Sequence, residues 1–205
     1  MTLRIPSRVV VFDYGEVISL PPSEADRASL LAVADVAPEP FWASYWSHRD
    51  DLDHGTVDVA TYWSRVADDV GAIWSPAELQ MLWATDFRSW ISVDMGTVAV
   101  LDELAAGGTR LALLSNAGYD FSSVYRYAPV GRYFERIFIS AEMDAVKPDP
   151  DIYREVAAEL EIELESMIFI DNKLVNTDAA AALGITAHHF VGADNLRAFL
   201  TTLAA

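Results

Sequence analysis

The sequence predicts an α/β protein in which a parallel sheet of about five strands lies between two layers of helices. Short apolar runs typical of buried parallel strands occur five times, once near the start and four times after residue 93. Helical patterns separate the later runs, which favours right-handed parallel crossovers. Residues 19–90 contain helical patterns and no strand pattern. We therefore expect a core domain at residues 1–18 and 91–205, with a small helical cap domain inserted at residues 19–90.

The first strand is expected at 9–12, where three valines and a phenylalanine precede Asp13. Open α/β sheets bind their ligands beyond the carboxyl ends of the strands. Asp13, followed two positions later by Gly15, is therefore a candidate for attacking a substrate or binding a metal. The alternative is that Asp13 only stabilises the turn after the strand.

The inserted segment is predicted to be helical throughout. Ser75 and Glu78 have the spacing of a capping box, which marks the start of one helix. All six tryptophans of the chain lie in this segment, from Trp42 to Trp90. Their helical spacing predicts that most of them pack in the core of the segment and against the main domain. Trp46 or Trp90 is expected to form a wall of the substrate site.

The remaining elements are expected to alternate between helix and strand. Glycines end two of the helices, and polar residues follow several of the strands. The predicted helices are 97–106, 119–127, 149–160, 174–183 and 194–203, and the predicted strands are 110–114, 137–139, 167–170 and 186–191.

The composition is that of a globular chain, with 52% hydrophobic residues, 22% charged residues and a net charge of −17. Such an acidic surface repels nucleic acid and anionic membranes, and no apolar run is long enough to span a bilayer. We therefore expect a small-molecule partner, no nucleic acid and no membrane. The absence of cysteine excludes a thiol nucleophile. No secretory signal is recognised, so a cytoplasmic location is expected. The expected state is a monomer or a homodimer.

Cations are scarce in this chain, so their positions are informative. The only lysines are Lys147 and Lys173. Lys147 lies before a proline and precedes the helix between the third and fourth strands. A salt bridge on the acidic surface is the structural alternative for Lys147. His48 and Arg49, near the expected turn of the cap, are interpreted as a surface pair, with a contact to substrate as the alternative.

Three of the predicted strands end in polar residues that suit chemistry on an anion. Asp13 follows the first strand, Ser115 and Asn116 follow the second, and Asp171 and Asn172 follow the fourth. The carboxyl ends of parallel strands share one edge of a sheet. We therefore expect these side chains to lie close together and near Lys147.

The order and spacing of these residues resemble the four motifs of the haloacid dehalogenase (HAD) superfamily. The segments are Phe12-Asp13-x-Gly15-x-Val17, Leu114-Ser115-Asn116, Val146-Lys147-Pro148-x-Pro150-x-Ile152-Tyr153 and Phe169-Ile170-Asp171-Asn172-x-x-x-Asn176. The helical insert also lies where the cap of that superfamily follows the first motif. The sequence is most similar to the small phosphatases whose first motif reads Asp-x-Gly, which implies a Rossmann-like core.

The resemblance implies a Mg²⁺-dependent phosphatase that hydrolyses a small phosphorylated metabolite, such as a sugar phosphate. It implies that Asp13 is the nucleophile and forms an aspartyl-phosphate, and that Lys147 and Ser115 assist it. It also implies substrate binding by Ser115, Asn116 and Lys147. The implied metal ligands are the side chains of Asp13, Asp171 and Asn172 and the carbonyl of Gly15.

The chain departs from the superfamily pattern at Gly15, where most of these phosphatases have a second aspartate that protonates the leaving group. Glu16, or a cap acid such as Asp51 or Asp53, can replace this missing proton donor. Alternatively, the substrate has a leaving group that needs no proton. The same departure keeps two other functions open, a 2-haloacid dehalogenase-type hydrolase and a non-catalytic binding protein with this fold. Asn172, where a second acid is common, is expected to weaken Mg²⁺ binding.

Overall fold

A computed structural model describes residues 2–205 of the chain. It confirms the predicted fold class, a five-stranded parallel sheet with helices on both faces. The strands lie side by side in the order β3-β2-β1-β4-β5, and every pair is parallel. Their bounds are β1 Val9–Phe12, β2 Arg110–Ser115, β3 Arg136–Ile139, β4 Met167–Asp171 and β5 Thr186–His189.

The helices follow the predicted alternation with small shifts at their ends. The helix expected over 119–127 is divided into a 3₁₀ turn and α7, and the short α8 was not predicted. The α-helices are α1 Glu24–Ala34, α2 Pro38–Ser47, α3 Arg49–His54, α4 Val59–Val70, α5 Pro76–Ser89, α6 Met95–Ala106, α7 Ser122–Tyr127, α8 Ser140–Met143, α9 Pro150–Glu159, α10 Leu174–Ala182 and α11 Ala193–Leu203. Short 3₁₀ helices span Tyr119–Phe121, Pro129–Tyr133 and Leu164–Ser166.

The central strand β1 is fully buried because its two faces pack against different helical layers. Val10 and Phe12 point into a core that α6 and α11 complete, whereas Val9 and Val11 point into a second core with α9 and α10. Successive side chains of a strand alternate between the faces of the sheet, so a strand covered on both sides must be apolar throughout. This packing explains the unbroken run of four apolar residues that ends at Asp13.

Helices α1 to α5 enclose a hydrophobic cluster of their own. Phe41, Tyr45, Tyr62 and Trp63 lie at its centre and are almost completely buried. The capping box that Ser75 and Glu78 predict is present at the start of α5. We call α1 to α5 the helical unit; the domain boundaries at residues 18/19 and 90/91 stay a prediction. No helix within residues 2–205 is long and apolar enough to cross a membrane.

The helical unit contacts the rest of the protein at two places near the carboxyl edge of the sheet. At one, the Trp83 indole donates a hydrogen bond to Asp120 (2.8 Å) and Phe87 stacks on Phe121. At the other, Gly55, the residue after α3, lies so close to Ala141 that a Cβ atom would approach it to 2.9 Å. These contacts hold the helical unit over the edge where ligands of such sheets bind.

Candidate active site

The predicted site residues converge because the strands that carry them are neighbours. Strand β1 lies between β2 and β4, so Asp13, Ser115 and Asp171 stand side by side at one edge of the sheet. Lys147 reaches them from the loop between α8 and α9. The structure therefore brings together residues that are up to 158 positions apart in the chain.

Lys147 occupies the centre of the site. Its Nζ atom lies 2.8 Å from Asp13 Oδ1 and 2.8 Å from Asp171 Oδ2, and it donates a third hydrogen bond to the carbonyl of Leu114 (3.0 Å). The residue is only 4% exposed, so the alternative of a surface salt bridge is wrong. Burial alone would lower the pKa of Lys147, but the two carboxylates outweigh it and raise the pKa above its usual value. Lys147 is therefore an ammonium at physiological pH.

Asp13 is almost as deeply buried as the lysine that it contacts. Burial raises the pKa of Asp13 to about 6, against the opposing effect of the Lys147 ammonium. The Tyr14 amide N–H donates a 2.7 Å hydrogen bond to Asp13 Oδ1, the same oxygen that contacts Lys147. Because these contacts orient the carboxylate through Oδ1, the other oxygen is the one suited to attack a substrate.

Asn116 and Ser115 serve the site in different ways. The carboxamide of Asn116 donates to the carbonyl of Lys147 and accepts from its amide N–H, both at 2.9 Å. This pair of bonds holds the main chain of Lys147 in place, so the predicted substrate contact of Asn116 rests on its backbone. Ser115 is buried, and its hydroxyl lies against Tyr125 at the wall of the cavity. Its predicted role in substrate binding stays a prediction.

The oxygen atoms near Asp171 fit a hard divalent cation. Asp171 is 0% exposed and is oriented by the Asn176 amide (2.9 Å) and by the Lys173 N–H (2.8 Å). Asn172 donates to Glu16 through Nδ2, but its buried Oδ1 has no hydrogen-bond partner within residues 2–205. An unpaired buried carbonyl oxygen is costly unless a ligand satisfies it. Carboxylate and carbonyl oxygens are the ligands that Mg²⁺ prefers, so the donor set suits this ion.

A cavity of about 190 Å³ separates these residues from the helical unit. Both lysines of the chain line it, as do Trp46, Trp90 and Arg49. The two tryptophans expected to wall the substrate site thus lie at the cavity. This cavity thus gathers three cations of an acidic chain, Lys147, Lys173 and Arg49, beside the carboxylate of Asp13.

The interpretation of Arg49 as a surface residue is wrong, because its side chain is only 12% exposed. Its Nε atom lies 3.0 Å from Asp53 Oδ1, and its Nη1 atom contacts the Tyr45 hydroxyl (2.9 Å) and Asp86 Oδ2 (3.3 Å). The guanidinium also lies near the rings of Tyr45 and Trp90. The spacing of Arg49 and Asp53, four residues apart on one helix, was the signal in the sequence that could have indicated this ion pair.

The three acids predicted as substitutes for the missing aspartate lie in different surroundings. Asp53 lines the cavity, and its side chain is 16% exposed. Asp51 is about half exposed, pairs with Arg65 and does not line the cavity that contains Asp13. Glu16 is exposed at the rim of the cavity, where it accepts a hydrogen bond from Asn172 (3.0 Å).

The fold and the buried ionic cluster agree with a family model described as haloacid dehalogenase-like hydrolase, which matches residues 57–184. The match covers more than half of the chain, and the protein belongs to this family of hydrolases. The resemblance stated from the four motifs is therefore confirmed.

Two curated fungal proteins are similar to most of this chain. Drimenol cyclase drtB of Aspergillus calidoustus is 24% identical over 198 residues, which are 96% of this chain and 36% of that protein. The chain thus spans about a third of the length of that relative. Sesquiterpene phosphatase astK of Aspergillus oryzae is 23% identical over 187 residues, 89% of each chain.

Solved structures share the fold at lower identity. A HAD family enzyme from Bacteroides thetaiotaomicron, in complex with magnesium and inorganic phosphate, is 20% identical, with a TM-score of 0.69 over 88% of this chain and 92% of that one. L-2-haloacid dehalogenase from Xanthobacter autotrophicus, with chloropropionic acid covalently bound, is 16% identical, with a TM-score of 0.66 over 95% and 82%. At these identities the likeness concerns the fold.

Proposed function

We propose that this hydrolase is a Mg²⁺-dependent phosphatase that cleaves a small phosphate monoester through an aspartyl-phosphate on Asp13. The observation that carries the proposal is the Lys147 ammonium, 2.8 Å from both Asp13 and Asp171 at the wall of a cavity. A phosphate dianion repels an attacking carboxylate, so a site for this reaction needs buried positive charge. Lys147 supplies one such charge.

Each residue of the cluster has a role in this reaction. Asp13 attacks phosphorus, and the bond between phosphorus and the leaving oxygen breaks. Water then attacks phosphorus and releases inorganic phosphate and the free carboxylate. Lys147 and Ser115 donate hydrogen bonds to the phosphoryl oxygens, while Asn116 keeps Lys147 in place. Asp13, Asp171, the Gly15 carbonyl and Asn172 would hold Mg²⁺, which neutralises charge on the phosphoryl oxygens.

The cavity volume supports a small substrate. Pockets that enclose drug-sized ligands measure about 300–1,000 Å³, whereas this cavity is about 190 Å³. The name of the Aspergillus oryzae relative points to a sesquiterpene as an alternative, which would need the adjoining cavity of about 450 Å³ that Lys147, Lys173 and Asp53 also line. The cavity at Asp13 alone suits a short metabolite such as a sugar phosphate. The acidic surface also disfavours polyphosphorylated ligands. We propose that the protein acts on this substrate in the cytoplasm, as a monomer or homodimer, with the helical unit as its cap.

Dehalogenation is the competing reaction within the family. A halide leaves without a proton and needs no metal, so it would leave the buried, unpaired Asn172 Oδ1 without a purpose. A non-catalytic binding role would likewise leave the oriented Asp13 carboxylate unused. The donor set and the buried ammonium therefore favour phosphoryl transfer.

An assay of phosphate release tests the proposal. Purified protein is incubated with an aryl phosphate and with a panel of small phosphorylated metabolites, with Mg²⁺ or with a chelator. We expect Mg²⁺-dependent phosphate release that the Asp13→Asn variant lacks. If no member of the panel releases phosphate but a 2-haloacid releases halide, the protein is a dehalogenase. If the wild type and Asp13→Asn behave identically, it is a binding protein.

A further inference from the structure

We propose that Asp53, in the last turn of α3, donates the proton to the leaving group and then activates water, in place of the aspartate that Gly15 lacks. The inference rests on the proposed phosphatase function. It assigns the acid–base role to a residue that the helical unit supplies rather than to the loop after β1.

Asp53 is fixed at the point where the helical unit meets the core. The Ser140 hydroxyl of α8 donates a hydrogen bond to the carbonyl of Asp53, and the same hydroxyl accepts from the Ala117 N–H (2.9 Å). Ala117 directly follows the second motif, so this bridge joins the backbone of Asp53 to the loop after β2. Gly55 is packed against the core just beyond it. These contacts place the Asp53 side chain in the wall of the cavity that Asp13 and Lys147 also line.

Arg49 orients the Asp53 carboxyl group without occupying all of it. Its Nε atom bonds to Oδ1, and the guanidinium is held in turn by Tyr45 and Asp86. A carboxyl has a second oxygen, which can carry or accept the proton. Orientation of this kind is what a proton donor needs, because transfer requires hydrogen-bond reach to the leaving oxygen.

The surroundings of Asp53 also suit proton transfer near neutral pH. Burial raises the pKa of Asp53 to about 6, with Arg49 opposing the rise more strongly than Lys173 does, and with Asp50 reinforcing it. Tyr62 and Tyr125 are the other titratable groups that interact with it. Efficient acid–base catalysts have pKa values close to the working pH.

The other two acids are less suited to this role. The Glu16 carboxylate is exposed and already accepts a hydrogen bond from Asn172, next to the oxygens that fit Mg²⁺. Asp51 is exposed, pairs with Arg65 and does not line the cavity that contains Asp13. Asp53 is thus the candidate that combines burial, orientation and access to this cavity.

Two proton transfers through Asp53 accompany the two steps of the reaction. As the bond from Asp13 to phosphorus forms and the bond to the leaving alkoxide breaks, the Asp53 carboxyl gives its proton to that alkoxide, which leaves as an alcohol. In the second half the Asp53 carboxylate takes a proton from water as the water oxygen attacks phosphorus. Asp13 is released as a carboxylate, and Asp53 is again protonated.

The Asp53→Asn variant tests the proposal with two kinds of substrate. An alkyl phosphate needs protonation of its leaving group, and we expect its kcat to fall by about 10²–10⁴. With para-nitrophenyl phosphate the first step needs no proton, whereas the second still needs a base. We therefore expect a burst of one nitrophenolate per active site, followed by slow turnover. A purely structural role for Asp53 would abolish the burst as well.

Two matched variants and the wild-type enzyme complete the experiment. Asp51→Asn, also on α3, is expected to turn over both substrates like the wild type. If Asp53→Asn also behaves like the wild type, or shows no burst, the proposal is overturned. It is overturned in favour of Glu16 if Glu16→Gln alone gives the burst. If the wild-type enzyme hydrolyses no phosphate ester in the presence of Mg²⁺, the proposed function itself is refuted.

Discussion

Two buried ionic clusters of similar composition face each other across the cavity. In the core, the Lys147 ammonium lies between Asp13 and Asp171; in the helical unit, the Arg49 guanidinium lies between Asp53 and Asp86. Each consists of one cation and two carboxylates with little exposure to water. Only one of them contains groups suited to bond formation with phosphorus.

The difference between the clusters lies in the cation and in the neighbouring oxygens. Lysine is a compact charge that leaves room for a phosphoryl group and a metal, whereas arginine uses a planar fork to hold several partners at fixed angles. Next to Lys147 lies the unpaired Asn172 Oδ1, and next to Arg49 lies the Tyr45 hydroxyl, which donates to Asp86 (2.7 Å). The core cluster therefore has an oxygen free to bind a ligand. In the Arg49 cluster the polar groups bond to one another, and these bonds hold Asp53 in position.

The largest expected effect separates the two clusters by activity. Asp13→Asn removes the nucleophile, and kcat with Mg²⁺ should fall by at least about 10⁴, as for other nucleophile replacements. Asp86→Asn removes the matched carboxylate from the Arg49 cluster, whose tyrosine partner remains. We expect it to retain most of the activity in an assay of phosphate release. Equal losses in the two variants would contradict the distinction between them.

Removing the cation from each cluster should destabilise the protein by a similar amount. Lys147→Met and Arg49→Met each leave two buried carboxylates without their partner, which costs about 3–5 kcal/mol of unfolding free energy. Added Mg²⁺ should restore part of that loss in Lys147→Met, because a metal bound to the folded state stabilises it.

Denaturant titrations with and without Mg²⁺ measure this difference. Arg49→Met should gain no more stability from Mg²⁺ than the wild type does. If Mg²⁺ stabilised Arg49→Met as strongly as Lys147→Met, the metal site would not belong to the core cluster.

Removal of the metal should reduce activity less than the Asp13→Asn substitution does. Asn172 contributes no charge where a carboxylate would, so binding is expected to be weak enough for a chelator to reverse. We expect the rate of phosphate release to fall by at least about 10² and to recover when Mg²⁺ is added back. An unchanged rate in chelator would contradict the assignment of Asp171 and Asn172.

The smallest expected effect concerns the contact of Gly55, the residue after α3, with Ala141 of the core. Gly55 and Gly71 both end helices of the helical unit with positive φ, but only at Gly55 would a Cβ atom meet neighbours, at 2.9 Å. Gly71→Ala should cost about 1–2 kcal/mol through backbone strain alone.

Gly55→Ala should cost more than Gly71→Ala and should also reduce kcat, because it displaces α3 and with it Asp53. Thermal unfolding and kinetics of the pair measure both effects. Full activity in Gly55→Ala would show that catalysis does not depend on the position of α3.

The sequence was sufficient for the sheet and for the core cluster because both depend on local patterns. Apolar runs that end in Asp13 and Asp171 reveal buried strands and their carboxyl edge, and a lone lysine before a proline stands out in an acidic chain. The Arg49 cluster was missed because Asp86 lies 37 residues from Arg49, on another helix, and polar residues surround Arg49 in the sequence. Which of Asp51 and Asp53 lines the cavity likewise depends on the face of α3 that meets the core, and tertiary packing decides this.

Detection of the aspartyl-phosphate tests the role of Asp13 most directly. The enzyme is mixed with para-nitrophenyl phosphate and Mg²⁺, quenched in acid during turnover, digested and mapped by mass spectrometry. We expect a phosphoryl group on Asp13, absent in Asp13→Asn and more abundant in Asp53→Asn. Continuous phosphate release by an enzyme whose Asp13 is never phosphorylated would contradict this role.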